Sequence, residues 1–156
     1  MTSGDFDIEG ALAGNARVRA ETLATLERVP AERREAIVAG EWRLRDIVAH
    51  LAAAQAGYAE ALEHVARGAM PVISDYGPPG PPHEWNARMV ERSRGRSWDQ
   101  LLADLDAAHE RHEAAVRACR AALPENERAQ FFARNVSPHE GGHLDAIERW
   151  LAGALE

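Results

Sequence analysis

Leu44-Arg45-Asp46-Ile47-Val48-Ala49-His50-Leu51-Ala52-Ala53-Ala54-Gln55-Ala56-Gly57-Tyr58 decides how the rest of the chain is read. Ile47, Leu51, Ala54 and Tyr58, continued by Ala61, Leu62 and Val65, recur at intervals of three and four residues. That period places them on one face of a helix. The helix begins near Leu44 and stops by Gly68. His50 stands among Ile47, Leu51 and Ala54, so its imidazole is expected to face inward with them.

The same period extends outward in both directions. A first helix is expected from about Ile8 to Val29, with Leu12, Val18, Leu23 and Leu26 on its apolar stripe, and Pro30 follows it. After Gly68, the run Met70 to Pro82 contains Gly77-Pro78-Pro79-Gly80-Pro81-Pro82, which cannot be regular helix and reads as a lid-like loop. A short helix resumes from His83 to Arg94. Ser97-Trp98-Asp99-Gln100 has the form of a capping box and opens a long helix to about Leu123, with Leu101, Leu102, Leu105, Val116 and Cys119 on its inner side. Pro124 closes it, and a helical turn spans Glu125 to Phe131. In the last segment Ser137 reads as N-cap, Pro138 as the first helical residue and Glu140 as the acid of a second capping box, with helix to about Leu155. β-Branched residues are sparse and no strand-like alternation of useful length is present. The expectation is an all-α protein, a four-helix bundle in a single domain spanning 1–156, with a proline-rich loop after the second helix.

Composition narrows the function classes. With 46% hydrophobic and 28% charged residues the chain suits amphipathic helices around a core. A formal net charge of −7 leaves no basic footprint for nucleic acid. No stretch approaches the roughly 18 uninterrupted apolar residues of a membrane helix, and Met1 to Glu9 is acidic where a signal peptide would be basic and then apolar. The expected setting is therefore cytoplasmic, with neither membrane nor nucleic acid as partner. The single cysteine, Cys119, excludes an internal disulfide and reads as a small buried hydrophobe.

The histidines carry the chemistry. His139 and His143 stand four apart in the last helix, so both project from one face. That face continues into Ala146, Ile147, Trp150 and Leu151, which points the pair inward. An interior imidazole needs a polar partner or a metal. His50, His139 and His143 on facing helices can converge in a bundle core, where bundles build metal sites, and core histidines bonded to other groups are the competing reading. Gly141 and Gly142 between the pair each cost about 1 kcal/mol relative to alanine. Close helix packing and clearance for a ligand both account for them.

Trp42-Arg43-Leu44-Arg45-Asp46-Ile47-Val48-Ala49-His50-Leu51 resembles the entry to the second helix of the DinB-like superfamily, where a tryptophan and a turn precede an Arg-Asp-aliphatic-aliphatic-x-His-Leu run. The His-x-x-x-His at 139–143, followed by Ile147 and Trp150-Leu151, resembles that family's last helix. Asn86 and the arginine-rich run into Ser97-Trp98 resemble its middle. The resemblance implies an up-down-down-up bundle, often a homodimer, with zinc, nickel or a similar divalent ion on His50, His139 and His143. It also implies a metal-dependent transferase that uses a low-molecular-weight thiol on small electrophiles. Hydrolases and non-catalytic stress proteins that bind small molecules are the alternatives within the family. Arg43 in place of a small N-cap residue, and Gly141-Gly142 in place of bulkier helix formers, depart from the family pattern.

His139-Glu140-Gly141-Gly142-His143 also matches the His-Glu-x-x-His of zinc proteases. Those enzymes take a third ligand downstream, and the residue six past His143 is Arg149, while Glu148 is on the same helix and cannot fold back. Glu140 is therefore read as a helix cap. His109 and His112 sit near the apolar side of the fourth helix and are expected to bond a nearby acid such as Asp106 or Glu113, with lining the cavity or replacing a ligand as the alternative. His64 is too far along its helix to share an ion with His50. Tyr58, Trp85, Asn86 and Met89 are read as ordinary packing that can also wall a pocket. Arg88, Arg92, Arg94 and Arg96 read as a solvated face, with anchoring of thiol-cofactor carboxylates as the sharper option.

Overall fold

A computed structural model describes residues 5–74 and 82–154. Its helices are α1 (Ile8–Glu27), α2 (Leu44–Ala66), α3 (Pro82–Arg92), α4 (Trp98–Ala118), α5 (Glu127–Arg134) and α6 (Val136–Ala154). The four long ones, α1, α2, α4 and α6, form the bundle. α2 packs most extensively on α4 and α1 on α6, while α1–α4 and α2–α6 contacts close the ring.

Two core clusters give the direction of each helix. One joins Leu26 and Val29 from the end of α1 to Leu44, Ile47, Val48 and Leu51 from the start of α2, Leu101 and Leu105 from the start of α4, and Ile147 and Leu151 from the end of α6. The other joins Leu12 near the start of α1 to Ala59, Leu62 and Val65 late in α2, and to Ala115, Val116 and Cys119 late in α4. The helices therefore run up, down, down and up, as expected. The first cluster is built mainly of large aliphatic side chains, whereas alanine is more frequent in the second.

Helix boundaries follow from local hydrogen bonds. Ser97 Oγ accepts from the Gln100 N–H at 3.1 Å and Gln100 Oε1 accepts from the Ser97 N–H at 2.9 Å, the box expected from the sequence. At the end of α2, Gly68 has φ of +78°, with its N–H on Val65 O and the Ala69 N–H on His64 O, each at 2.9 Å. This left-handed stop suits glycine and satisfies the last carbonyls. Pro82 is the first residue of α3, where a missing N–H costs nothing. The remainder of the glycine-proline run, 77–81, lies outside the described residues.

Three boundaries differ from expectation. A two-stranded antiparallel hairpin, β1 (Ile37–Ala39) and β2 (Trp42–Arg43), precedes α2. It is too short to show as alternation, and Gly40, at φ +58°, turns it. α4 ends at Ala118 rather than Leu123, and the chain continues through turns and a short 3₁₀ segment, Leu123–Glu125, to α5. α6 begins at Val136, so Ser137 lies inside the helix rather than capping it.

Asn15 of α1 explains that last shift. Its Nδ2 donates to Ala133 O at 3.0 Å and its Oδ1 accepts from the Ser137 N–H at 3.2 Å, so one buried amide clasps the end of α5 and the start of α6. A partner on another helix replaces the local cap that the sequence suggested.

Candidate metal centre

The entry to α2 is locked by the residues that precede His50. The Asp46 carboxylate accepts from the Arg43 N–H at 2.9 Å, which caps the helix although Arg43 itself has no acceptor to offer. Arg45 donates to the carbonyls of Ser93 and Arg96, tying the start of α2 to the loop between α3 and α4. Trp42, at the end of the hairpin, folds back over the helix: its ring meets that of His50 edge-on with centroids 5.0 Å apart.

The structure brings His50 together with His139 and His143. Each offers one ring nitrogen, and the three nitrogens lie within 4.8 Å of one another. His50 Nε2 and His139 Nε2 are 3.0 Å apart, and all three pairs of rings have centroids 5.0 Å apart. Nitrogens on a tetrahedral ion with bonds of about 2.0–2.1 Å are roughly 3.3 Å from each other; the His50–His139 pair is near that spacing, and the His143 nitrogen lies within 4.8 Å of both.

Electrostatics favour ligation. Burial, and then the neighbouring imidazoles of His139 and His143, push the His50 pKa down to about 3, with the Asn86 amide acting weakly in the other direction. Burial also lowers His139 and His143, with His139 adding to the depression of His143; the Glu140 charge opposes it at both. At neutral pH all three rings are uncharged, the form a metal requires. The buried Nδ1 of His139 has no partner among the described residues, so this ring is not a core histidine satisfied by hydrogen bonds. Three neutral imidazoles form a donor set suited to zinc, nickel and similar ions. The residues fit a divalent metal.

Aromatic rings flank the cluster. Trp42 lies parallel to His143, 6° between planes and 6.4 Å between centroids. Across from it the Tyr58 ring is 6.3 Å from His139, and its hydroxyl accepts from Asn135 Nδ2 at 3.2 Å. Phe131 and Phe132 continue this aromatic group, and Phe131 is 46% exposed. Of the wall candidates, Tyr58 and Asn86 thus reach the histidines. Met89 instead borders a groove of about 390 Å³ between α2 and α4, floored by Ala49, Ala52, Ala53 and Ala56.

Glu140 is not a helix cap. Its side chain is 0% exposed and sits in the core stripe of α6 with Val136, Leu144, Ile147 and Leu151. The carboxylate accepts from Gln55 Nε2 of α2, and from His109 Nε2 of α4 at 2.8 Å. The consecutive position turns Glu140 by about 100° from His139, and its two hydrogen bonds direct the carboxylate onto Gln55 and His109. A protease glutamate must face the metal, and this one is not grouped with the triad nitrogens. The signal that marks it in the sequence is spacing: an acid four residues after Val136 and four before Leu144 falls in the middle of an apolar stripe.

The other candidates resolve as structure. His109 pairs with Glu140 rather than Asp106 or Glu113, and His112 Nε2 donates to Phe132 O at 2.8 Å. Arg96 forks onto Asp104 and Arg94 pairs with Glu91, which commits both to internal partners. The Cys119 thiol donates to Leu62 O, and burial pushes its pKa up, away from a reactive thiolate. A Cβ on Gly142 would meet nothing within 4 Å, and one on Gly141 only Val18 Cγ2 at 3.9 Å. Close packing therefore does not require either glycine.

The sequence profile of the DinB superfamily matches residues 15–147, so the chain belongs to that superfamily. No curated protein and no solved structure matches. Among the described residues no helix is long and apolar enough to cross a membrane.

Proposed function

We propose that this member of the DinB superfamily holds one divalent ion, zinc or nickel, on His50, His139 and His143, and uses it to transfer a low-molecular-weight thiol onto small electrophiles. The observation that carries the reading is the meeting of three uncharged imidazoles at one point, with no fourth donor grouped with them among the described residues. Three protein ligands leave room for an exogenous one, the arrangement of catalytic rather than structural sites. The ion supplies Lewis acidity, which favours the thiolate form of a coordinated thiol near neutral pH.

The chain's own residues hold and enclose. Trp42 sets its ring beside His50 and His143, and Tyr58 sets its ring beside His139. Asn86 offers an amide beside His50. Glu140 and His109, a buried acid and base on α6 and α4, are bonded to each other. The geometry therefore suits a reaction that needs no protein general base. In thiol transfer the S–H proton leaves to solvent, a sulfur–carbon bond forms and the leaving group departs with its electron pair. Hydrolysis asks for a base to activate water, and among the described residues no carboxylate is grouped with the triad.

Protein prepared without a histidine tag and loaded with zinc or nickel tests this against glutathione, bacillithiol and mycothiol, with 1-chloro-2,4-dinitrobenzene as electrophile. The expected result is metal-dependent chloride release and a thiol-induced change in the nickel spectrum. A loaded protein whose spectrum ignores every thiol and which forms no conjugate refutes the transferase, and ester hydrolysis by that protein would put a hydrolase in its place. A homodimer belongs to the same proposal, read from the mass in sedimentation velocity.

A further inference from the structure

We infer that Glu140 is a positioning residue for the metal centre, acting through Gln55 and His109 to fix the rotation of α6; the inference rests on the metal reading above. α2 and α6 supply all three candidate ligands, yet they pack on each other far less than α2 packs on α4. Beside the triad, a second cross-link joins the same two helices. Gln55, five residues after His50 on α2, donates to the carboxylate of Glu140, which lies between His139 and His143 on α6. His109 donates to the same carboxylate oxygen from α4, so a helix that provides no ligand is drawn into the alignment.

A carboxylate is an expensive way to fill this position. Burying a charge costs several kcal/mol unless it is well bonded, and its neighbours on this stripe, Val136, Leu144 and Ile147, are all aliphatic. What a leucine lacks is direction. Apolar contacts tolerate rotation of a helix about its axis, whereas two hydrogen bonds from two other helices do not. An imidazole nitrogen roughly 6 Å from the axis moves about 2 Å when the helix rotates by about 20°. That is the length of a whole metal–nitrogen bond. Groups hydrogen-bonded directly to a ligand commonly change metal affinity by about 10- to 100-fold when removed, and a group that acts through the helix is expected at the lower end of that range.

The test uses Co²⁺ binding to the metal-free full chain, read by calorimetry and by the visible absorption bands, which report ligand geometry rather than stability. Glu140→Gln keeps the size and removes the charge that both donors share. Leu144→Ala, one turn along the same buried stripe, is the control for loss of packing alone. Glu140→Gln is expected to weaken Co²⁺ binding by at least about tenfold and to alter the band positions or intensities. Leu144→Ala is expected to lower the thermal midpoint while leaving affinity and spectrum unchanged. His109→Gln, which removes only the α4 bond, provides an intermediate loss and a second variant should Glu140→Gln fold poorly.

Wild-type affinity and spectrum in both Glu140→Gln and His109→Gln overturn the inference. So does equal weakening in Leu144→Ala, because the effect would then be general stability. A wild-type chain that takes up no Co²⁺, Zn²⁺ or Ni²⁺ instead refutes the metal reading itself, and this inference with it.

Discussion

His139 and Glu140 are consecutive on α6 and have opposite surroundings. The histidine turns toward His50 and His143, in a half-buried cluster walled by Trp42 and Tyr58. The glutamate, about 100° round the helix, is fully buried between Gln55 and His109. One cluster gathers three uncharged nitrogens at one point, while the other directs donors from two helices onto one carboxylate oxygen. The difference separates two uses of buried polarity: the triad converges on a point, and the glutamate network ties three helices together.

The widest separation between the two regions is expected in metal uptake. His143→Ala should reduce bound zinc or nickel from a full complement to essentially none by elemental analysis, with little change in the urea midpoint of the metal-free protein. Retained metal in that variant would break the comparison at its stronger end. Glu140→Ala attacks the other region. Removing one member of a buried, hydrogen-bonded network strands its partners, so the metal-free protein should lose about 3 kcal/mol of stability, measured by urea unfolding. A loss below about 1 kcal/mol, within ordinary single-site effects, would show that the network binds the helices less firmly than its burial implies.

Acid sharpens the contrast further. The folded-state pKa values of His50, His139, His143 and His112 all lie below the ordinary 6.5, chiefly through burial. Between the lowered values and 6.5 the unfolded chain binds more protons than the folded one, so stability rises with pH across that window. The contribution is complete above about 6.5 and is lost as pH falls toward the folded values, about 3 for His50. Replacing the three triad histidines with glutamine should flatten the slope of metal-free stability between pH 6.5 and 4. An unchanged slope would place the acid sensitivity elsewhere.

The smallest effect concerns the glycines. A Cβ at Gly142 enters open space, so Gly142→Ala should stabilise the metal-free fold by about 0.5–1 kcal/mol. If the same change raises KM for the electrophile, clearance for a substrate explains why that stability is forgone. Unaltered kinetics would leave Gly142 with no functional reading.

The parts of this molecule legible in the sequence are those encoded by local period. The apolar spacing of α2, the Ser97 box and the i, i+4 histidines each state their geometry within a few residues. Even the convergence of His50 with His139 and His143 follows from two inward faces in a bundle. What escaped was settled by distant partners. Glu140 has the local signature of a cap, but Asn15 occupies that role for α6 and leaves the acid free to point inward. His109 sits near Asp106 in sequence, yet its bond crosses to α6. The hairpin before α2 is too short to alternate, and a single left-handed glycine makes it.

Asn15 has one more consequence, for where this molecule can be cut. The candidate ligands fall between residues 50 and 143, and a fragment starting after α1 would contain every one of them. It would also lack the amide that spans 118 and 122 residues to join Ala133 to Ser137. The α5–α6 joint would then be free to open, and with it the helix that carries two of the three imidazoles. A fragment that contains every candidate ligand is therefore expected to hold them in place less well than the longer chain. A synthetic α1 peptide added to such a fragment should restore what the excision removed, making the first helix a detachable clamp rather than mere padding.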